Sequence, residues 1–171
     1  MAKIKKVKPS LVKFFIADDI RLEGGDSPKP TMLGMYADNV IVVQMPEDQP
    51  DPTEEAPIAI EGIAILAAFY GGAGTFDGMV SLKLPSGDPL IVNSPTGPME
   101  ARKGSAMLFV AKLHPFRVPE FGLYYFSIAL DNTAYDFEFE LRRGAAPNRS
   151  LTQQNVPKKQ RSKRAPTKAN A

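Results

Sequence analysis

Between Gly122 and Leu141 the chain alternates residue by residue, and this alternation constrains the fold more than any other feature. Tyr124, Phe126, Ile128 and Leu130 fall on one side of an extended strand. Asp131-Asn132-Thr133 turns the chain. Tyr135, Phe137, Phe139 and Leu141 then take one side on the return, with Asp136, Glu138 and Glu140 opposite. Side chains on a strand point alternately to its two faces, so the pattern reads as an antiparallel hairpin with one face in a core and one in water. A hairpin alone is marginal in water and needs further strands to cover its apolar face.

The rest of the chain offers those strands. Residues 11–22 (LVKFFIADDIRL) are rich in Phe, Val and Ile, as a strand covered on both sides at one end would be. Gly24-Gly25-Asp26 with Pro28 and Pro30 marks a turn, followed by a short strand from about Thr31 to Tyr36 and another over Val40 to Val43. Residues 44–57 (QMPEDQPDPTEEAP) hold four prolines, each lacking a backbone donor, and read as an exposed acidic loop. Residues 58–70 are ambiguous: Pro57 and Gly71 would bracket a helix, whereas Gly62, the isoleucines and Phe69-Tyr70 favour a buried strand from about Gly62. Strand is the reading adopted. Gly71 to Gly78 reads as a loop, Val80 to Leu84 as a half-buried strand, and Pro85 to Pro89 as a turn into Leu90-Ile91-Val92. Residues 94–105 read as a loop, and 106–113 (AMLFVAKL), apolar on both faces, as a central strand. The expected fold is therefore all-β, an antiparallel β-sandwich of about eight to nine strands.

Charge divides the 171 residues differently. All 19 acidic residues lie between Asp18 and Glu140, and that span has a net charge of −12, whereas the two ends together carry +14. Residues 145–171 contain seven basic groups, no acidic one, and only Leu151 and Val156 as large apolar side chains. Such a segment buries too little surface to offset the entropy of ordering it. The expected organisation is a loose basic N-terminal arm (1–10), a sandwich domain (11–143) and a disordered basic tail (144–171). The apolar run after the basic start is short, broken by Lys13, and enters Asp18-Asp19, which does not suit a secretory signal. No stretch approaches the roughly 18 apolar residues of a membrane helix. The chain has no cysteine, which fits a reducing compartment, so a cytoplasmic location is expected.

Ala17-Asp18-Asp19-Ile20-Arg21, a Gly-Gly-Asp turn, Thr31-x-Leu33-Gly34-x-Tyr36 and the closing Gly122-Leu-Tyr-Tyr-Phe-Ser-Ile-Ala-Leu-Asp131 resemble an uncharacterised bacterial β-sandwich family, a domain of unknown function. The resemblance spans roughly residues 12–143, with Pro28 and Pro30 lengthening the first turn. It implies a sandwich and brings no activity, cofactor or catalytic residue.

Chemistry-bearing groups are few. His114, the only histidine, precedes Pro115 at a strand end and has no nucleophile elbow elsewhere to serve. One histidine without cysteine argues against zinc. Gly71-Gly72-Ala73-Gly74 lacks the Gly-Lys-Ser/Thr ending of a phosphate loop. Glu47, Asp48, Asp51, Glu54 and Glu55 lack calcium-loop spacing. Asp19, Arg21 and Glu23 share one face of the first strand, beside Asp18. They read as a cross-strand ion-pair cluster or as a polar recognition edge. Lys158, Lys159, Arg161, Lys163 and Arg164 form a candidate polyanion contact, non-specific because phosphate contacts are sequence-blind. The expected role is a non-catalytic protein-interaction or accessory domain. Nucleic-acid association through the tail is the first alternative and an enzyme the second. No catalytic residue, cofactor, metal or membrane partner is expected.

Overall fold

The computed structural model describes residues 6–24 and 29–145. Within them the chain forms strands and no helix. In chain order these are β1 (Leu11–Glu23), β2 (Lys29–Met35), β3 (Val40–Met45), β4 (Ile58–Ile60), β5 (Ile63–Tyr70), β6 (Gly74–Lys83), β7 (Pro89–Ala101), β8 (Met107–Leu113), β9 (Phe116–Val118), β10 (Gly122–Leu130) and β11 (Thr133–Ala145). β2-β1-β5-β8 make a four-stranded sheet, β3-β11-β10-β6-β7 a five-stranded one, and β4-β9 a small ladder.

The alternating hairpin is β10–β11, with Tyr124 opposite Phe139 and Phe126 opposite Phe137. Its apolar face meets the inward residues of the four-stranded sheet. Ile16, Ile63, Ile65, Ala67 and Phe69 from one side and Phe126, Ile128, Phe137, Phe139 and Leu141 from the other are buried in one core. Aromatic contacts stitch the layers: Phe14 stacks on Phe137 at 5.2 Å between ring centres, and Phe69 meets Tyr135 edge-on at 5.2 Å. This is a sandwich-like all-β fold, as the alternation required. No helix of the described residues is long and apolar enough to cross a membrane.

Several local expectations need correction. Residues 58–70 are strand, but in two pieces, β4 and β5, separated at Glu61-Gly62. The loops expected at 71–78 and 94–105 are shorter, because β6 begins at Gly74 and β7 runs through Pro95 and Pro98 to Ala101. β7 is an edge strand, where a residue without N–H loses nothing on the open side. Its pairing with β6 shifts register at three points. Conversely β8, read as central, lies at an edge. β3 pairs with β11 in parallel, not antiparallel, with Ala145 beside Met45. That pairing carries β11 past residue 143, through Gly144 to Ala145.

The N-terminal arm is not loose where it is described. Val7 and Ala73 exchange backbone hydrogen bonds of 2.8 and 2.9 Å. Lys6 pairs with Asp131 at 2.6 Å and lies over the Phe76 ring, and Lys8 donates to Thr133 at 2.6 Å. Pro9 is buried and its carbonyl accepts from Tyr135. Lys158, Lys159, Arg161, Lys163 and Arg164, with the expected tail disorder, lie outside the described residues.

Candidate functional site: a charged depression on an apolar sheet face

Strand alternation sorts the four-stranded sheet into two faces. Phe14, Ile16, Ile63, Ile65, Phe109 and Ala111 point to the inter-sheet core, so Phe15, Ala17, Ala64, Leu66, Leu108 and Val110 point away from it. These outward residues form a second apolar cluster, joined at the β1–β2 end by the cross-strand pair Ile20 and Met32. Among the described residues every member comes from the sheet's own strands. Leu66 and Ala64 are buried because the bulkier Phe15, Leu108 and Val110 flank them. On the neighbouring β2, Leu33 and Met35 are 46% and 53% exposed, opposite Asp19 and Ala17.

A depression of about 680 Å³ opens at one end of this face. Asp19 and Arg21 enter it from β1, Lys112 from β8, and His114 and Glu61 from the adjoining chain. Lys112 stands beside Ala64 in register, and its amine crosses β5 to reach the Asp19 carboxylate at 2.7 Å. The small Ala64 and Gly62 leave that path clear. Gly62 is required here: a Cβ on it would lie 2.8 Å from His114 Nδ1 and 2.9 Å from the Leu113 carbonyl. Arg21 Nε donates to the other Asp19 oxygen at 2.9 Å. Hydrogen bonds from Lys112 and then Arg21 hold the Asp19 carboxyl down to about 2. Asp18, which also lines the depression, accepts a short hydrogen bond from the Tyr36 hydroxyl. Burial, and then the Asp18 carboxylate, push that phenol up to about 12.

The expected trio thus divides. Asp19 and Arg21 are joined, whereas Glu23 sits at the sheet end opposite Lys29 and does not line the depression. The sequence did not connect Lys112 or His114 to this cluster. They are over 90 residues away, and only the β5–β8 register brings them alongside. An isolated lysine within an apolar strand was the available signal.

The arrangement presents fixed charge. Asp19 is ionised throughout the neutral range, and among the described residues no serine, threonine or cysteine lines the depression. Among the described residues no group of three or more His, Asp or Glu side chains is placed to hold a metal. The acidic loop instead closes around a cation of the chain itself. Arg143 donates to Asp51 at 2.6 Å and to the carbonyls of Pro46, Glu47 and Gln49 at 2.8, 3.1 and 2.7 Å. A second, shallower depression on the outer five-stranded face is lined by Tyr125, Lys83, Asp136 and Glu138 among others. Comparisons with protein-family models, with curated proteins and with solved structures each return no match.

Proposed function

We propose that this domain is a non-catalytic protein-interaction module that docks a folded protein partner on the outer face of its four-stranded sheet. The observation that supports this is the second apolar cluster, with exposed Leu33 and Met35 on the adjoining β2 and the Lys112–Asp19–Arg21 charges at its border. Contiguous apolar surface rimmed by charge is the usual composition of an interaction site. The half-buried Phe15, Leu108 and Val110 and the exposed Leu33 and Met35 supply affinity by area removed from water, around an already buried centre of Ala17, Ala64 and Leu66. The bordering charges supply orientation and discrimination more than strength.

Leu33→Glu and Met35→Glu change exposed side chains, so they leave the core intact. Bound partners recovered by the full-length chain from its native host should be lost with this pair of substitutions. They should be retained with Met79→Glu, a methionine 40% exposed on the other sheet. Retention by both variants would overturn the reading.

A second reading has support from the sequence alone. The seven basic and no acidic groups of residues 145–171 suit non-specific contact with a nucleic-acid backbone.

A further inference from the structure

We infer that two copies of this chain pair through the edge of β8, which is open among the described residues, joining their four-stranded sheets into one eight-stranded sheet. An edge strand exposes unpaired N–H and C=O groups, and proteins normally blunt such edges with proline, bulges, short length or lysine. This chain blunts its others. β7 carries Pro89, Pro95 and Pro98 and three register shifts. β2 carries Pro30 and the left-handed Gly34. β3 has only six residues and stops at Pro46.

β8 has no proline, no register shift and no left-handed residue within it. Its sequence, Met107-Leu-Phe-Val-Ala-Lys-Leu113, is that of a central strand, apolar on both faces, in an edge position. Its single lysine does not guard the edge. Lys112 is drawn the other way, across β5 to Asp19.

The strand is also complementary to itself. In an antiparallel joint centred on Val110, Phe109 faces Ala111 of the second copy, a large side chain against a small one, and Met107 faces Leu113. Lys112 faces Leu108, so no like charges oppose each other. The joint would merge the two outer apolar faces along Leu108 and Val110. It does not rest on the partner-docking reading above, since Leu33 and Met35 lie on β2, at the far edge of the sheet.

The chain contains no cysteine, so Val110→Cys introduces a unique thiol at the self-opposed position. Directly opposed residues on an antiparallel pair have Cβ atoms about 4.5–5.5 Å apart, near what a disulfide spans. Oxidised full-length V110C should become a covalent dimer well ahead of Ser81→Cys, a control on the outer face of the other sheet. Sedimentation of the wild-type chain up to about 1 mM should show a reversible dimer. Val110→Lys, which opposes two ammonium groups, should give monomer with an unchanged β circular-dichroism spectrum. A wild-type chain monomeric throughout that range, or V110C that cross-links no faster than S81C, would overturn the inference. Loss of partner binding by L33E/M35E would be unaffected by either result.

Discussion

At the scale of single residues, the site depends on small side chains that make room for charged ones. Gly34 has φ +65° and faces Asp18, and a methyl there would collide with the Asp18 carboxylate. Gly34→Ala should therefore lower the unfolding free energy by about 1–3 kcal/mol, the usual range for a strained backbone position, as read by urea denaturation. The Asp19 carboxyl, held at about 2, gives a second expectation. Its folded value lies below its unfolded one, so its contribution is present above about pH 4. That contribution is lost as pH falls toward 2. Lys112→Met should flatten this acid limb in a plot of melting temperature against pH, and should leave the limb above pH 5 parallel to wild type. An unchanged acid limb would mean that the Lys112–Asp19 contact is not held in solution. Asp19 and Arg21 were legible as neighbours because they are two apart on one strand. Lys112 was not, because registry between distant strands is a tertiary property.

At the scale of elements, the β10–β11 hairpin was read almost residue for residue. Phe126 and Phe139 are 2% and 1% exposed, while Glu138 faces water. Truncating either phenylalanine to alanine should cost about 3–5 kcal/mol, and Glu138→Ala should stay within about 0.5 kcal/mol. Denaturant titration of the three variants checks this, and equal costs at 138 and 139 would contradict the register. Tyr124 is fully buried, and its hydroxyl donates to the Glu120 carbonyl at 2.7 Å. Removing that hydrogen bond as Tyr124→Phe should cost about 1 kcal/mol by the same titration. The elements that were misread share one cause. Composition reports how apolar a strand is and not which of its sides is paired. Prolines thus hid the second half of β7, which tolerates them at an edge, and an apolar sequence made β8 look central.

At the scale of the whole molecule, the N-terminal basic end is part of the fold. The N-terminal arm closes on the β10–β11 turn through Lys6, Lys8 and Pro9 and on Ala73 through Val7. Deleting residues 1–9 should lower the melting temperature by several degrees, since a change of about 1 kcal/mol moves it roughly 2–8 °C in a domain of this size. An unchanged transition in scanning calorimetry would show that the arm contributes nothing. For the C-terminal end the expectation comes from charge. Full-length protein should bind DNA or RNA of any sequence with a dissociation constant of roughly 10⁻⁴–10⁻⁶ M near physiological salt, weakening steeply as salt rises. A chain ending at residue 145 should lose most of that affinity. Equal binding by the shortened chain would move the contact onto the acidic body and defeat the charge argument.

Alternation, strand composition and turn residues together determined that this chain is a layered all-β protein, which residues of its last hairpin are core, and that Asp19 and Arg21 project from one strand face. Those properties are local, because pleat and turn chemistry act over a few residues. Tertiary structure alone decided which strands lie at edges, that β3 runs parallel to β11, and that the outer face of β2-β1-β5-β8 is apolar. It also decided that Lys112 pairs with Asp19 and that His114 lines the same depression. Each of these depends on which strands pair and in what register, and pairing follows from burying one shared core across the full length of the chain.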